Sequence, residues 1–332
     1  MHNELTDGFG RKHDYLRISL TDRCNLRCFY CMPEEGIEIC NKSEIMTFEE
    51  IIGISKIFVS KGVNKIRLTG GEPFYRRDVD LILEELAKLP VDLRITTNGV
   101  NLHKHITVLK ENNIKKINVS LDSLNPNKFK TITRFSVFDK VVDNINLLLK
   151  EGFEVKVNTV VMNGINDDEI IDFIAWTQHK LLHVRFIEFM PFNGNKWEWK
   201  KIVPYKKLME AVENKFSLEH IVRINDRPND TSVNYKIKNF EGTFAFINSV
   251  TQPFCGTCNR IRLTADGKLK NCLFSSTESD LLIAYRNGED ILPLIERSIG
   301  AKKEIRAGMA TTAELKNTKR NQKNRSMVSI GG

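Results

Sequence analysis

The sequence predicts an α/β protein built on an incomplete parallel β/α barrel and finished by a smaller carboxyl-terminal cap. Three observations carry that expectation. In the first two thirds of the chain, a short β-favouring run alternates repeatedly with a helix-like stretch. Motifs rich in cysteine, glycine and charge follow the ends of those runs, and the rhythm stops near residue 194.

The first run, at 15–20, leads into a cysteine loop and then a helix near 48–60. The second, at 65–68, leads into a Gly-Gly-Glu-Pro turn and a helix near 79–89. Runs at 92–96, 116–120, 154–160 and 184–189 continue the pattern. Six strands are fewer than a closed TIM barrel needs, so a partial (β/α)6 barrel of the TIM type is expected over residues 1–194. Parallel strands present their following loops on one side, which gathers the cysteine loop, GGEP, TTNG and EFMP at a single mouth. In the cap, residues 195–332, short strands near 222–224, 232–237, 242–249 and 260–264 are separated by turns unlike βαβ crossovers. Antiparallel pairing is therefore expected there, with helices resuming near 281–286 and 291–298.

With 332 residues, 41% of them hydrophobic and 28% charged, the chain can bury a core without disulfide staples. No uninterrupted apolar stretch approaches the roughly 18 residues of a membrane span, and the opening residues lack a secretory pattern. The expectation is a cytoplasmic protein with no stable membrane partner. A formal charge of +8 and a pI near 9.0 favour anionic ligands. The densest basic stretch, KNTKRNQKNR at 316–325, suits nucleic acid, a nucleotide phosphate or plain solvation equally well.

The seven cysteines fall into two trios and one outlier: Cys24, Cys28 and Cys31; Cys255, Cys258 and Cys272; and Cys40, read as an ordinary thiol. Separated trios in a reducing compartment point to metal rather than disulfides. CNLRCFYC can bring three thiolates together after the first strand, and three thiolates on a cubane iron–sulfur cluster leave one iron open. Zinc would want a fourth ligand, and no histidine lies in this loop. FCGTCNRIRLTADGKLKNC repeats the logic with a closer pair and a returning third cysteine, and zinc stays open there.

The C-x3-C-x2-C spacing followed by TGGEP resembles the radical S-adenosylmethionine family. That resemblance implies a 4Fe–4S cluster on Cys24, Cys28 and Cys31 that binds S-adenosylmethionine and cleaves it to a 5′-deoxyadenosyl radical. It also implies that Tyr30 lies beside the adenine and Glu72 near the methionyl amino group, with Gly71, Ser120 and Met190 completing the pocket. Beyond these motifs, FCGTCNRIR with Cys272 and the terminal IGG resemble the GTP 3′,8-cyclase family of molybdenum-cofactor biosynthesis, over essentially the whole chain.

That closer resemblance implies a second 4Fe–4S cluster on Cys255, Cys258 and Cys272 that receives the guanine of GTP. Arg17, Arg67, Thr96, Lys156, Arg260 and Arg262 would then contact the substrate. Arg17, Arg260 and Arg262 are expected to act in catalysis as geometric clamps rather than as proton bases, because a guanidinium is a fixed fork of donors suited to phosphate. Gly331 and Gly332 resemble a tail that reaches into the site. The implied reaction removes the ribose C3′ hydrogen of GTP and joins C3′ to guanine C8. The implied partners are a reducing electron donor, a second copy of the chain in a homodimer, and cyclic pyranopterin monophosphate synthase as the next enzyme. No stable nucleic-acid partner is expected. A radical enzyme acting on a peptide, or a zinc-containing nucleic-acid-binding protein, is the competing expectation.

Overall fold

The computed structural model describes residues 4–33, 35–226 and 229–331. Six strands, β1 (Tyr15–Ser19), β2 (Lys65–Thr69), β3 (Asp92–Thr97), β4 (Lys116–Ser120), β5 (Glu154–Val161) and β6 (Leu182–Glu188), pair in sequence order and in parallel. The connections carry helices α1 (Phe48–Ser60), α2 (Val79–Ala87), α3 (Ile106–Glu111), α4 (Pro126–Thr133), α5 (Phe138–Lys150) and α6 (Ile170–Ala175).

Local sequence sets these elements. Thr47 and Glu50 form a reciprocal capping box at the start of α1, which buries Ile51, Ile54 and Phe58 on one face. In α5, Val141, Ile145 and Leu148 fall on a single buried stripe. Along the strands, apolar and polar residues alternate: Leu16, Ile18, Ile66, Leu68, Ile95, Ile117, Val157 and Val184 are buried in the hydrophobic core. The intervening residues Arg17, Arg67, Thr96, Asn118, Lys156 and His183 line a cavity enclosed by the sheet. A closed TIM barrel fills its interior with aliphatic layers; this one devotes that face to hydrogen-bonding and charged groups.

The later segment adds α7 (Tyr205–Lys215), β7 (Ile221–Ile224), β8 (Val233–Ile237), β9 (Thr243–Ile247), β10 (Arg260–Leu263), β11 (Lys268–Lys270), β12 (Ser279–Asp280), α8 (Leu281–Arg286) and α9 (Leu292–Gly300). Antiparallel pairs are present, as β7–β8, β8–β9, β10–β11 and β11–β12. Two of the expected cap strands also do something else. β9 runs parallel to β6 and β10 parallel to β1, so both edges of the six-stranded sheet are extended. The physical reason lies in their composition. Phe244, Ala245 and Phe246 are consecutive and all fully buried, as suits a strand covered on both faces. A continuous sheet results, in the order β12-β11-β10-β1-β2-β3-β4-β5-β6-β9-β8-β7. Its outer strands β12 and β7 are not neighbours, and the barrel stays open. Hydrogen bonding therefore crosses the proposed division after residue 194 at both edges. Among the described residues no helix is long and apolar enough to cross a membrane.

Candidate active site

Strand register puts like charges side by side. Arg262, Arg17, Arg67 and Arg94 occupy one row across β10, β1, β2 and β3, and Lys116 follows on β4. A second row carries Thr96, Asn118, Lys156 and His183, and a third Ser120, Asn158 and Arg185. All of these line a cavity of about 680 Å³. Like charges directly opposite on neighbouring strands destabilise a sheet, so folding alone gives no reason for this row. A polyanionic ligand does.

The cost is visible in the ionisation of the row. Burial, reinforced by Arg262 and Arg67, pushes the Arg17 guanidinium well below its ordinary range. Burial and Arg260 lower Arg262 to about 10, burial and Arg67 lower Arg185 to about 9, and burial with Arg185 and Arg94 lowers Lys156 to about 8. Arg67 is held rigidly: Nε donates to Tyr15 Oη at 2.5 Å, and Nη1 donates to the Ile95 carbonyl at 3.1 Å and to Thr96 Oγ1 at 3.2 Å. Burial alone would raise the Tyr15 phenol, but Arg67 and Arg17 outweigh it and bring it down to about 7. Arg185 is anchored by Asn158 Oδ1, which accepts from Nε at 2.9 Å and Nη2 at 2.6 Å.

The first cysteine trio belongs to the loop after β1, and Cys31 is the member that reaches the cavity. Cys24, Cys28 and Cys31 are free thiols, and burial raises all three. Cys28 and Cys31 are raised further by neighbouring thiols of the trio. Cys31 and Tyr30 line the cavity with Ser120 and Met190. Tyr30 Oη donates to Asp122 Oδ2 at 2.7 Å, and burial lifts Asp122 to about 6.

Gly71 and Glu72 hold the trio from behind rather than lining the cavity. Gly71 N donates to the Thr21 carbonyl at 2.6 Å and Glu72 N to the Arg23 carbonyl at 2.8 Å. A Cβ at Gly71 would run into the Arg23 backbone, so the close approach requires glycine. The Glu72 carboxylate accepts from Thr97 Oγ1 at 2.7 Å, Asn98 N at 2.7 Å and Phe74 N at 3.0 Å, tying the GGEP turn to the TTNG loop. Burial nonetheless raises it to about 7.

The second trio lies across the same cavity, lined by Cys255, Cys258 and Cys272 together with Arg260 and Arg262. Ile261, between the two arginines, is fully buried in the hydrophobic core. Arg260 stacks over Phe254, 4.8 Å from the ring centre. Burial would raise the Cys258 thiol, but Arg260 and Lys302 bring it down to about 6. Lys302 Nζ donates to Cys258 Sγ at 3.4 Å and to the Arg260 carbonyl at 2.9 Å. Arg11 Nη1 donates to the Cys255 carbonyl at 2.8 Å while its Nε pairs with the buried Asp7 carboxylate at 2.6 Å. The amino-terminal segment thus braces this loop. Among the described residues, no group of histidine, cysteine or acidic side chains closes tightly enough to hold a single metal ion.

Gly331 is buried against Thr69 and Ser19 with φ of +70°, and its carbonyl accepts from Arg262 Nη1. Gly332 lies outside the described residues. Cys40 is half-buried, and its backbone N–H donates to Asp22 Oδ2 at 2.7 Å. The cavity thus brings together Arg17, Tyr30, Cys31, Arg67, Thr96, Ser120, Lys156, Met190, Cys255, Cys258, Arg260, Arg262 and Cys272; Cys24, Cys28, Gly71 and Glu72 are not on its lining, and Cys24 lines a separate, smaller pocket. Sequence reasoning passed over Tyr15, Arg94, Asp122, Asn158 and Arg185, which also line it. Strand parity was the available signal for three of these, since Tyr15, Arg94 and Asn158 each lie two residues from, or in register with, a residue already chosen.

A family model for the radical SAM superfamily matches residues 18–177, and one described as Molybdenum Cofactor Synthesis C matches residues 182–307. The GTP 3′,8-cyclase, mitochondrial, of Arabidopsis thaliana is 46% identical over 334 residues, covering 99% of this chain and 83% of that protein. The GTP 3′,8-cyclase of Listeria monocytogenes is 41% identical over 304 residues, covering 90% of this chain and 91% of that protein. Molybdenum cofactor biosynthesis protein 1 of Homo sapiens is 46% identical over 319 residues, covering 94% of this chain but 50% of that protein. The chain spans about half the length of its mammalian relatives. Among solved structures, SuiB of Streptococcus suis bound to S-adenosylmethionine superposes with a TM-score of 0.61 at 17% identity, covering 86% of this chain and 67% of that one. That likeness concerns the fold alone.

Proposed function

The chain belongs to the GTP 3′,8-cyclase family of the radical S-adenosylmethionine superfamily, and we propose that it converts GTP to (8S)-3′,8-cyclo-7,8-dihydroguanosine 5′-triphosphate in molybdenum-cofactor biosynthesis. The observation that carries this reading is one cavity that Cys31 of the first trio and all three cysteines of the second line, with a row of arginines from strand β10 to β3 between them. The donor sets fit iron–sulfur clusters: each is three free thiols, two members of the first trio and Cys272 of the second feel their fellow thiols electrostatically, and Cys258 is held low by two cations. Cys24, Cys28 and Cys31 would hold one 4Fe–4S cluster and Cys255, Cys258 and Cys272 the other. When bound, the first supplies the electron that cleaves S-adenosylmethionine and the second supplies an open iron for the guanine.

The chain's own residues do the rest by placement. Tyr30, backed by Asp122, fixes one side of the S-adenosylmethionine pocket with Ser120 and Met190, while Gly71 and Glu72 fix the loop carrying its cluster. Arg17, Arg67, Arg262 and Lys156 neutralise the triphosphate, Thr96 orients Arg67, and Arg260 holds the substrate beside Cys258. Holding reacting atoms in register can replace much of the entropy of an encounter, and an error of about 1 Å can cost on the order of a hundredfold in rate. The reading carries with it a reducing electron donor, a homodimer, a cytoplasmic setting and hand-over to cyclic pyranopterin monophosphate synthase.

Anaerobic incubation of cluster-loaded protein with reductant, S-adenosylmethionine and GTP, followed by mass analysis of the nucleotide pool, tests it. A cyclised nucleotide is expected. Cleavage of S-adenosylmethionine with GTP returned unchanged would refute the substrate assignment.

Nucleotide affinity is expected to fall in two steps as pH rises above 7. Tyr15 becomes an anion inside the phosphate site as pH passes about 7, and Lys156 loses its charge as pH passes about 8. Titration calorimetry across this range should lose the upper step in Lys156→Met and the lower one in Tyr15→Phe.

A further inference from the structure

The basic stretch that ends the chain is not an open cationic face where it meets the barrel. Lys316 lies over the Trp199 ring at 4.8 Å. Thr318 and Arg320 have side chains outside the described part of the structure. Arg325 forks onto Asp266, with Nη1 donating to Oδ1 at 2.9 Å and Nη2 to Oδ2 at 2.8 Å, and Nη2 also donates to Glu278 Oε2 at 2.6 Å.

Behind this fork lies the fully buried Lys270, whose ammonium donates to the Ser275 carbonyl at 2.5 Å, to Asn324 Oδ1 at 3.0 Å and to Glu278 Oε1 at 3.1 Å. Asn324 Nδ2 in turn donates to the Leu273 carbonyl at 3.0 Å. Asn324 and Arg325 are thereby fastened to chain on both sides of Cys272, with Asp266 and Lys270 before it and Leu273, Ser275 and Glu278 after it. From there the tail runs through a helical turn, Met327–Ile330, to Gly331, which meets Arg262 and packs on Thr69 at the end of β2. A partly exposed ion pair contributes little to stability alone, even with bidentate geometry. It is suited to fixing register, and here the register it fixes is that of the chain end.

We propose that Arg325 is a positioning residue: its pairing with Asp266 and Glu278 latches the tail to the Cys272 loop and so sets where Gly331 meets Arg262. The latch makes the ordering of the tail and the geometry of the second cysteine loop a single event. Its effect on turnover rests on the GTP reading above; its effect on the tail does not.

The test compares Arg325→Gln, Arg325→Lys and Asp266→Asn with the wild-type holoprotein. Three quantities are read: hydrogen exchange of the amides from Ser326 to Gly331, iron content, and the ratio of 5′-deoxyadenosine formed to nucleotide cyclised. In Arg325→Gln the tail amides should exchange at least about tenfold faster, with iron content and S-adenosylmethionine cleavage retained and the ratio raised about tenfold or more by lost coupling. Arg325→Lys, which keeps the charge but not the fork, should fall between. Should Arg325→Gln not fold, Asp266→Asn carries the same expectations. Unchanged tail exchange overturns the latch. So does a released tail with wild-type coupling, or a parallel loss of cleavage, cyclisation and thermal stability, which is the signature of a merely structural pair. If the wild type cyclises no nucleotide while Arg325→Gln still frees the tail, the GTP reading fails and the latch stands.

Discussion

Replacing Cys258 with alanine is expected to lower cyclised nucleotide by on the order of a hundredfold or more, while leaving S-adenosylmethionine cleavage within about twofold of wild type. The asymmetry follows from the position of the two trios. Cys258 lies on the wall formed by the loop after β9, braced by Lys302 and Arg260, whereas Cys24, Cys28 and Cys31 belong to the loop after β1 and are braced by the GGEP turn. The substitution removes a sulfur that those two cations hold in its anionic form, and it leaves their charge facing the cavity uncompensated. Cys24→Ala, at the other trio, should instead abolish cleavage and cyclisation together. Measuring 5′-deoxyadenosine and cyclised nucleotide in the same anaerobic reaction separates the two outcomes. Equal losses of both products in Cys258→Ala would mean that the second trio maintains the fold and not the substrate.

Arg17→Met should stabilise the nucleotide-free protein and disable it. Arg17 sits in the cross-strand row, half-buried between Arg262 and Arg67 at the cavity wall, and its depressed ionisation reflects both desolvation and that crowding. Exchanging a buried charge for an apolar side chain of similar length commonly gains about 1–3 kcal/mol, and thermal unfolding of the variant should shift upward accordingly. Truncating one partner of a desolvated charge pair costs about 2–5 kcal/mol in binding, a roughly thirtyfold to several-thousandfold loss of GTP affinity. Calorimetry on the two proteins reads both effects. A variant that is less stable than wild type and binds GTP equally well would show that the row serves the fold.

These expectations rest on parts of the chain that differ in how much their sequence discloses. The six inner strands were legible because residues such as Leu16-Arg17-Ile18 and Ile66-Arg67-Leu68 alternate with period two, and the core side of that alternation is the side that packs on helices. The parallel placement of β9 and β10 was not legible. Their partners β6 and β1 are fixed by a crossover and by closure across nearly the whole chain, information that short apolar runs such as TFAFI do not carry.

In the site, the cysteines announced themselves by spacing and the arginines by chemistry. Glu72 was expected near the methionyl amino group; the structure adds that its oxygens accept from Thr97, Asn98 and Phe74, because the turn that carries it folds back on the TTNG loop. Asp122 lies two residues after Ser120 yet went unassigned, since only the structure brings Tyr30 to it. Lys302 and Arg11 brace the second cysteine loop from opposite ends of the chain, and nothing local marks them. Arg325 belonged to a basic stretch that suited nucleic acid, a nucleotide phosphate or solvation equally well, because its acidic partners are 59 and 47 residues away in sequence.

The claim on which the rest depends is that one cavity joins the S-adenosylmethionine end to the nucleotide end. Anaerobic turnover of the cluster-loaded protein with GTP carrying deuterium at ribose C3′ tests it directly, with the mass of the recovered 5′-deoxyadenosine as the readout. Transfer of that deuterium into 5′-deoxyadenosine, alongside cyclised nucleotide, is the predicted result. Abundant unlabelled 5′-deoxyadenosine with the labelled GTP intact would contradict it.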